Sequence, residues 1–236
     1  MPLRSPYEVA LGERLHELHP TLQRYFSAIP EGCIGIGEGA FADFGTERRW
    51  LWPFLRPFER RGVLFAGYER SVRFRVVNRT VSAEGTVAEP NTNTNTNTKV
   101  GTMRHTDIGK IIGLAVALRE LDLPGGIWVM TDSVTNVGHR IVDRLGTPQT
   151  VSALFDIDVR EGALTLTSRR VGLKFGRLRV RIPRWCAPVV SLTEQFEPIS
   201  GLQRVELTLC APLIGQIYGY RGHFEYGIVK EQQDGK

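Results

Sequence analysis

Four side chains hold the acid–base chemistry most readily drawn from this sequence: His139, Asp143, His223 and Glu225. An imidazole beside a carboxylate transfers protons when the fold brings both into one pocket. On an extended strand His223 and Glu225 share a face, opposite Phe224 and Tyr226, and a polar outer face is the simpler reading of that pair. A second chemistry is anion attraction. Between Glu161 and Glu194 there is no acid, while Arg169, Arg170, Lys174, Arg177, Arg179, Arg181 and Arg184 all occur. Arg177, Arg179 and Arg181 alternate with Leu178, Val180 and Ile182, and Arg73 and Arg75 repeat the pattern on another stretch. A shared arginine face attracts phosphates, anionic lipid or nucleic acid. No aromatic interleaves the stripe as single-strand binding requires, so nucleic acid is not the expected partner.

A third chemistry is apolar binding. Gly35, Gly37 and Gly39 fall on one face of an extended run, which admits something bulky against the backbone, a packed helix or a ligand. The stretch from 202 to 229 sets Tyr218, Tyr220, Phe224 and Tyr226 among Gly215, Gly219, Gly222 and Gly227. Large side chains lying across glycine gaps in bent strands are expected there, and these seven positions (Gly35, Gly37, Gly39 and the four aromatics) are candidate walls of an apolar pocket. Gly35 to Ala40 formally fits GxGxxA, but no helical stripe opens after it, so no nucleotide cofactor is expected. His16 and His19 lack further ligands at metal-binding spacing, so no metal is expected either.

The elements that must position these residues are mostly strands. Residues Tyr7 to Ala28 carry apolar residues at helical spacing, divided at His19-Pro20. Residues 50–62 are an aromatic and proline-rich connector with room for a short helix, and Val63 to Val81 returns to alternation. Asp107 to Leu121 reads as an amphipathic helix through Ile108, Ile111, Ile112, Ala115, Leu118 and Leu121. Val151 to Leu166 is a hairpin turning at Arg160-Glu161-Gly162, and alternation continues to Ile182. The predicted fold is α+β, a curved, mainly antiparallel, half-barrel-like meander packed with a few helices. Residues 1–236 form a single domain, with a mobile low-complexity hairpin tip or linker near 86–104 around the repeat Asn91 to Thr98.

A composition of 42% hydrophobic and 23% charged residues suits a globular chain with a substantial core, and the net charge is +5. No run of about 18 apolar residues occurs, so no membrane-spanning helix is expected. The N-terminus lacks the apolar region of a secretory signal. Cys33, Cys186 and Cys210 are odd in number and far apart, which predicts reduced thiols and a cytoplasmic location.

Three stretches carry a family resemblance: LHPTLQRYFSAIPEGCIGIGEGAFADFG, RIVDRLGTPQTVSALFDIDVREGALTLTSRR and APLIGQIYGYRGHFEY. In this order they resemble a bacterial family of unknown function, whose members stand alone or at the C-terminal end of saccharopine-dehydrogenase-like proteins. The resemblance covers most of the chain outside about residues 82 to 138. It implies no catalytic residue, and a dehydrogenase-like partner that supplies its own nucleotide domain. The leading expectation is a non-catalytic domain binding a hydrophobic or amphipathic small molecule. The alternatives are an enzyme using His139, Asp143 or His223, and a polyanion-binding module acting through Arg73, Arg75, Arg177, Arg179 and Arg181.

Overall fold

The computed structural model describes residues 3–81, 114–176, 178–182 and 186–231. The Asn-Thr repeat and the 86–104 segment lie outside the described residues, as do Ile108, Ile111, Ile112, Arg177 and Arg184.

The chain opens with α1 (Pro6–Leu11), a 3-10 segment (Gly12–Glu17) and α2 (Pro20–Phe26). Ser5 caps α1 reciprocally: its hydroxyl accepts the Glu8 backbone N–H at 3.1 Å, and the Glu8 carboxylate accepts the Ser5 N–H at 2.6 Å. The break at His19-Pro20 falls where expected. Pro20 takes a first-turn position that needs no N–H, and His19 Nδ1 accepts the Thr21 N–H.

Strands follow almost without interruption. They are β1 (Cys33–Gly45), β2 (Tyr68–Val81), β3 (Leu114–Leu123), β4 (Gly126–Val137), β5 (Arg140–Leu145) and β6 (Val151–Arg160). Then come β7 (Ala163–Phe175), β8 (Leu178–Arg181), β9 (Val189–Glu197), β10 (Leu202–Ala211) and β11 (Gly215–Lys230). Between β1 and β2 lies α3 (Trp52–Glu59), in the connector that left room for it.

The sheet closes on itself. β1 through β6 pair in sequence, β6 pairs β7, β7 pairs β9, and β9, β10 and β11 lead back to β1, a ring of ten antiparallel strands. β8 pairs with β7 outside that ring. This corrects the expected α+β half-barrel: the protein is a closed, mostly-β barrel, with three short α-helices among the described residues. Much of the difference lies in the predicted helix at 107–121, whose described part, from Leu114, is β3. Leu121 is buried on one face of β3, while Val116 and Leu118 are half-buried on the other. Apolar residues on both faces hide the period of two and mimic a helical stripe. Closure also removes exposed strand edges, which a half-barrel would leave unpaired.

Both ends of the barrel are covered. At one end the His19 N–H bonds Gly162 O in the β6–β7 turn at 3.0 Å, and the His139 ring in the β4–β5 turn lies 3.3 Å from Ala10 O. Leu11, Leu18, Leu22 and Phe26 there bury themselves against Ile141, Phe155, Val159 and Leu164. At the other end Arg48 donates to Ile214 O in the β10–β11 turn, and the Thr147 N–H bonds Arg61 O. Leu51 and Leu55 pack there on Leu209 and Tyr218.

Candidate functional site

The glycine face of β1 points into the barrel. Gly37 pairs with Tyr226 and Gly39 with Phe224 on β11, and the missing side chains admit those rings. A methyl group at Gly37 would stand 2.7 Å from Val76 Cγ1 and 3.1 Å from Phe224 Cδ2; at Gly35 it would overlap the Tyr226 hydroxyl. Large rings do lie across glycine gaps, as the alternation in the sequence suggests. Tyr25 of α2 reaches onto the same wall, edge-on to Tyr226 at 4.7 Å and to Phe224 at 5.6 Å. Phe41, Phe44, Phe74 and Tyr220 continue the wall, with Phe41 stacked on Phe74 at 4.2 Å. Six of the seven candidate wall positions, Gly35, Gly37, Gly39, Tyr220, Phe224 and Tyr226, thus meet on or beside one inner wall. Tyr218 is buried nearer the α3 end, its hydroxyl accepting the Phe65 N–H at 3.3 Å.

Beside this wall sits a polar cluster that no motif or spacing in the sequence announces. Arg119 (β3) donates to the buried Asp132 (β4) at 2.6 Å. Gln203 (β10) donates to the buried Glu194 (β9). Asp143 lies on the inward face of β5 between Ile141 and Leu145, paired with Val134 and Ala153. Burial, reinforced by Asp132, pushes the Asp143 carboxyl up to about 8, and burial pushes Glu194 up to about 7. Burial is the largest single influence on Arg119 and opposes its charge, but Asp132, Tyr25 and Tyr220 together outweigh it and keep the guanidinium protonated. Tyr7, Tyr25 and Tyr220 feel these carboxylates through space, and burial raises all three phenols. Four buried acceptor oxygens, Asn78 Oδ1, Asn136 Oδ1, Asp143 Oδ1 and Gln203 Oε1, have no hydrogen-bond partner among the described residues. The Tyr226 hydroxyl lies beside the Asn78 amide without a bond of ordinary geometry. A subtler sequence signal for the cluster exists. Each member interrupts an inward apolar series: Glu194 between Leu192 and Phe196, Asp132 between Met130 and Val134, Arg119 between Ala117 and Leu121.

The acid–base candidates are not brought together. Asp143 is inside, His139 is exposed at the β4–β5 turn, and His223 faces outward with its Nε2 3.3 Å from Glu197 Oε2. His19 stacks on Phe196 at 4.0 Å and caps α2. The arginine strands are separated as well. Arg73 and Arg75 lie on the outer face of β2, Arg75 paired with Glu38 at 3.2 Å, while Arg179 and Arg181 belong to β8, which pairs with β7. Of the stripe, Arg169 is bound to Asp156. An open cleft of ≈ 520 Å³ lies on the outside of β1, β10 and β11, rimmed by Arg48, Tyr68, Arg70, Gln216 and Arg221. At its centre Asp43 accepts from the Tyr68 hydroxyl and from Arg221, both at 2.7 Å, and these bonds hold its carboxyl below the usual range.

Compared with known protein families, residues 18–89 and 86–224 match one described as "Domain of unknown function (DUF4166)". Neither the comparison with curated proteins nor that with solved structures gives a match.

Proposed function

Since the chain belongs to the DUF4166 family, whose description supplies no activity to transfer, we propose a function from the barrel itself: it binds an amphipathic small molecule whose head donates hydrogen bonds. The observation that carries this reading is the set of buried, inward-facing acceptors, Asn136 Oδ1, Asp143 Oδ1 and Gln203 Oε1, that no hydrogen bond among the described residues satisfies. Buried polar atoms are paired almost everywhere in proteins, so three of them across one lumen ask for a donor. Beside them the aromatic wall built on Gly37 and Gly39 suits an apolar body. Barrels of this general size hold small ligands, and a few convergent polar groups in an apolar lining are what fixes a ligand's orientation.

The family resemblance adds a dehydrogenase-like protein as the proposed partner, which co-purification from the host would test. Cys33 and Cys210 are free thiols, which supports the proposal of a reducing, cytoplasmic setting. No helix among the described residues is long and apolar enough to cross a membrane.

The test is native mass spectrometry of gently purified protein with solvent extraction, followed by thermal shifts against long-chain amines, fatty amides and fatty acids. Amines and amides, which donate, are expected to raise Tm, and ionised fatty acids, which do not, are expected to leave it unchanged. Asp143→Leu should fold and lose the shift, because replacing a polar group whose buried oxygen has no partner by an apolar one of similar size is tolerated. A clean apo mass with no shift for any of the three classes defeats the proposal.

A further inference from the structure

The α3 end of the barrel exposes apolar side chains that the core leaves unused. Leu51, just before α3, and Leu55 on it turn inward, while Phe54 stands at 67% exposure and Trp50, also just before the helix, at 54%. The β10–β11 turn beside it carries Leu213 at 108% and Ile214 at 40%. The bond from Arg48 Nη2 to Ile214 O, 3.1 Å, ties these two segments together. Leu213 has φ 67, a left-handed conformation in which glycine or asparagine is the ordinary choice, so the turn carries a large apolar side chain at some conformational cost. Single exposed apolar residues mean little; four gathered on two adjoining segments form a patch that calls for an occupant.

The charge around the patch identifies that occupant. Arg48, Arg49, Arg56 and Arg60 are exposed on the same stretch. Of the two acids there, Glu47 is exposed and the Glu59 carboxylate is engaged by the Ala66 N–H. Aromatic and aliphatic side chains ringed by arginine are what an interfacial membrane segment presents: the apolar groups enter the boundary between headgroups and chains, and the guanidinium groups meet anionic headgroups. We infer that this end of the barrel docks on the surface of an anionic lipid bilayer, with Trp50, Phe54, Leu213 and Ile214 inserted and the four arginines at the headgroups. Such docking lies in the interface and needs no spanning segment. It stands apart from the luminal ligand, although Arg48 also borders the outer cleft, so that cleft opens beside the docked surface.

The experiment uses the full chain and sucrose-loaded vesicles of phosphatidylcholine alone, or with about one-third phosphatidylglycerol. The protein should pellet with the anionic vesicles, stay in solution with the neutral ones, and be released by raised salt. Its tryptophan emission should shift to the blue on binding. Trp50→Ser/Phe54→Ser, both at exposed positions, should keep the circular dichroism of the barrel and lower the partition coefficient by roughly tenfold or more. If that variant fails to fold, Arg49→Glu/Arg56→Glu is the second test, with the same loss expected. Equal recovery in solution with both vesicles overturns the inference, as does pelleting that neither variant weakens. Light scattering that shows a dimer lost in the Trp50→Ser/Phe54→Ser variant would assign the patch to a second copy, and would overturn it too.

Discussion

Asp143 is the residue at which the barrel's interior chemistry can be read by titration. Burial, with Asp132 close by, lifts its carboxyl from 3.8 to about 8, so the folded chain keeps a proton that the unfolded chain gives up. Below about pH 4 both states are protonated and burial carries no ionisation cost. As pH rises from there to about 8, the unfolded chain ionises first and stability falls, and above that the loss is complete. Asp143→Asn removes the proton from the balance. Its Tm should match wild type near pH 4 and exceed it increasingly up to about pH 8.5. A tenfold difference in proton affinity between the folded and unfolded chain corresponds to about 1.4 kcal/mol. About 1 kcal/mol moves Tm by roughly 2–4 °C in a domain of this size. Melts followed by circular dichroism across that range give the answer, and a Tm difference that does not change with pH would mean that Asp143 is not the group that titrates. Glu194, raised to about 7, adds a loss of the same sign over a similar range, so the variant's own profile keeps a residual slope.

At the scale of elements, β1 and β11 work as one unit in which glycine on one strand makes room for aromatics on the other. Gly39 shows how strict that is. An alanine there would set its methyl 2.6 Å from Phe224 Cβ and into the His223 carbonyl oxygen, so backbone or ring must shift. Gly39→Ala should cost roughly 1–3 kcal/mol, as overpacking generally does. Gly227→Ala, on β11 with nothing within 4 Å of the new methyl, should be close to neutral. Equal Tm values for the two variants would mean that close packing is not what glycine supplies. This pairing is legible in sequence, because glycines at every second position and aromatics at every second position announce a strand and its partner. The 160–162 turn and the break before Pro20 are legible for similar local reasons. β3 is not, because its apolar residues lie on both faces. The polar cluster escapes a reading by motif because Arg119, Asp132 and Glu194 are far apart in the chain, and only the ring of strands brings their inward faces together. None of the three sits at a catalytic spacing, although each breaks an apolar alternation.

The whole molecule depends on closure, and closure assigns the strands unequal weight. β1 and β11 join the two ends of the chain, with Cys33 opposite Lys230, so the ring is complete only when nearly the entire sequence has folded. Contacts of such long sequence separation form late and hold cooperatively, and opening the ring at any strand would expose two edges. β8 is the exception, since it pairs with β7 beyond the ring and Val180 on it is exposed. Proline separates these two situations because it removes a backbone donor wherever it is placed. Val180→Pro should lower Tm by a few degrees and leave a single sharp transition. Thr208→Pro, placed in the middle of β10 between Ser191 and Gly219, should give a chain that melts without cooperativity or collects in the insoluble fraction. Thr208 alternates with the buried Leu209 and lies outside the core, so the second variant removes little packing and tests the ladder alone. If Val180→Pro proved as damaging as Thr208→Pro, β8 would have to be counted as part of the cooperative unit. If Thr208→Pro melted like wild type, the ring would not be the source of cooperativity, and the lumen would lose the rigid frame that holds its carboxylates apart.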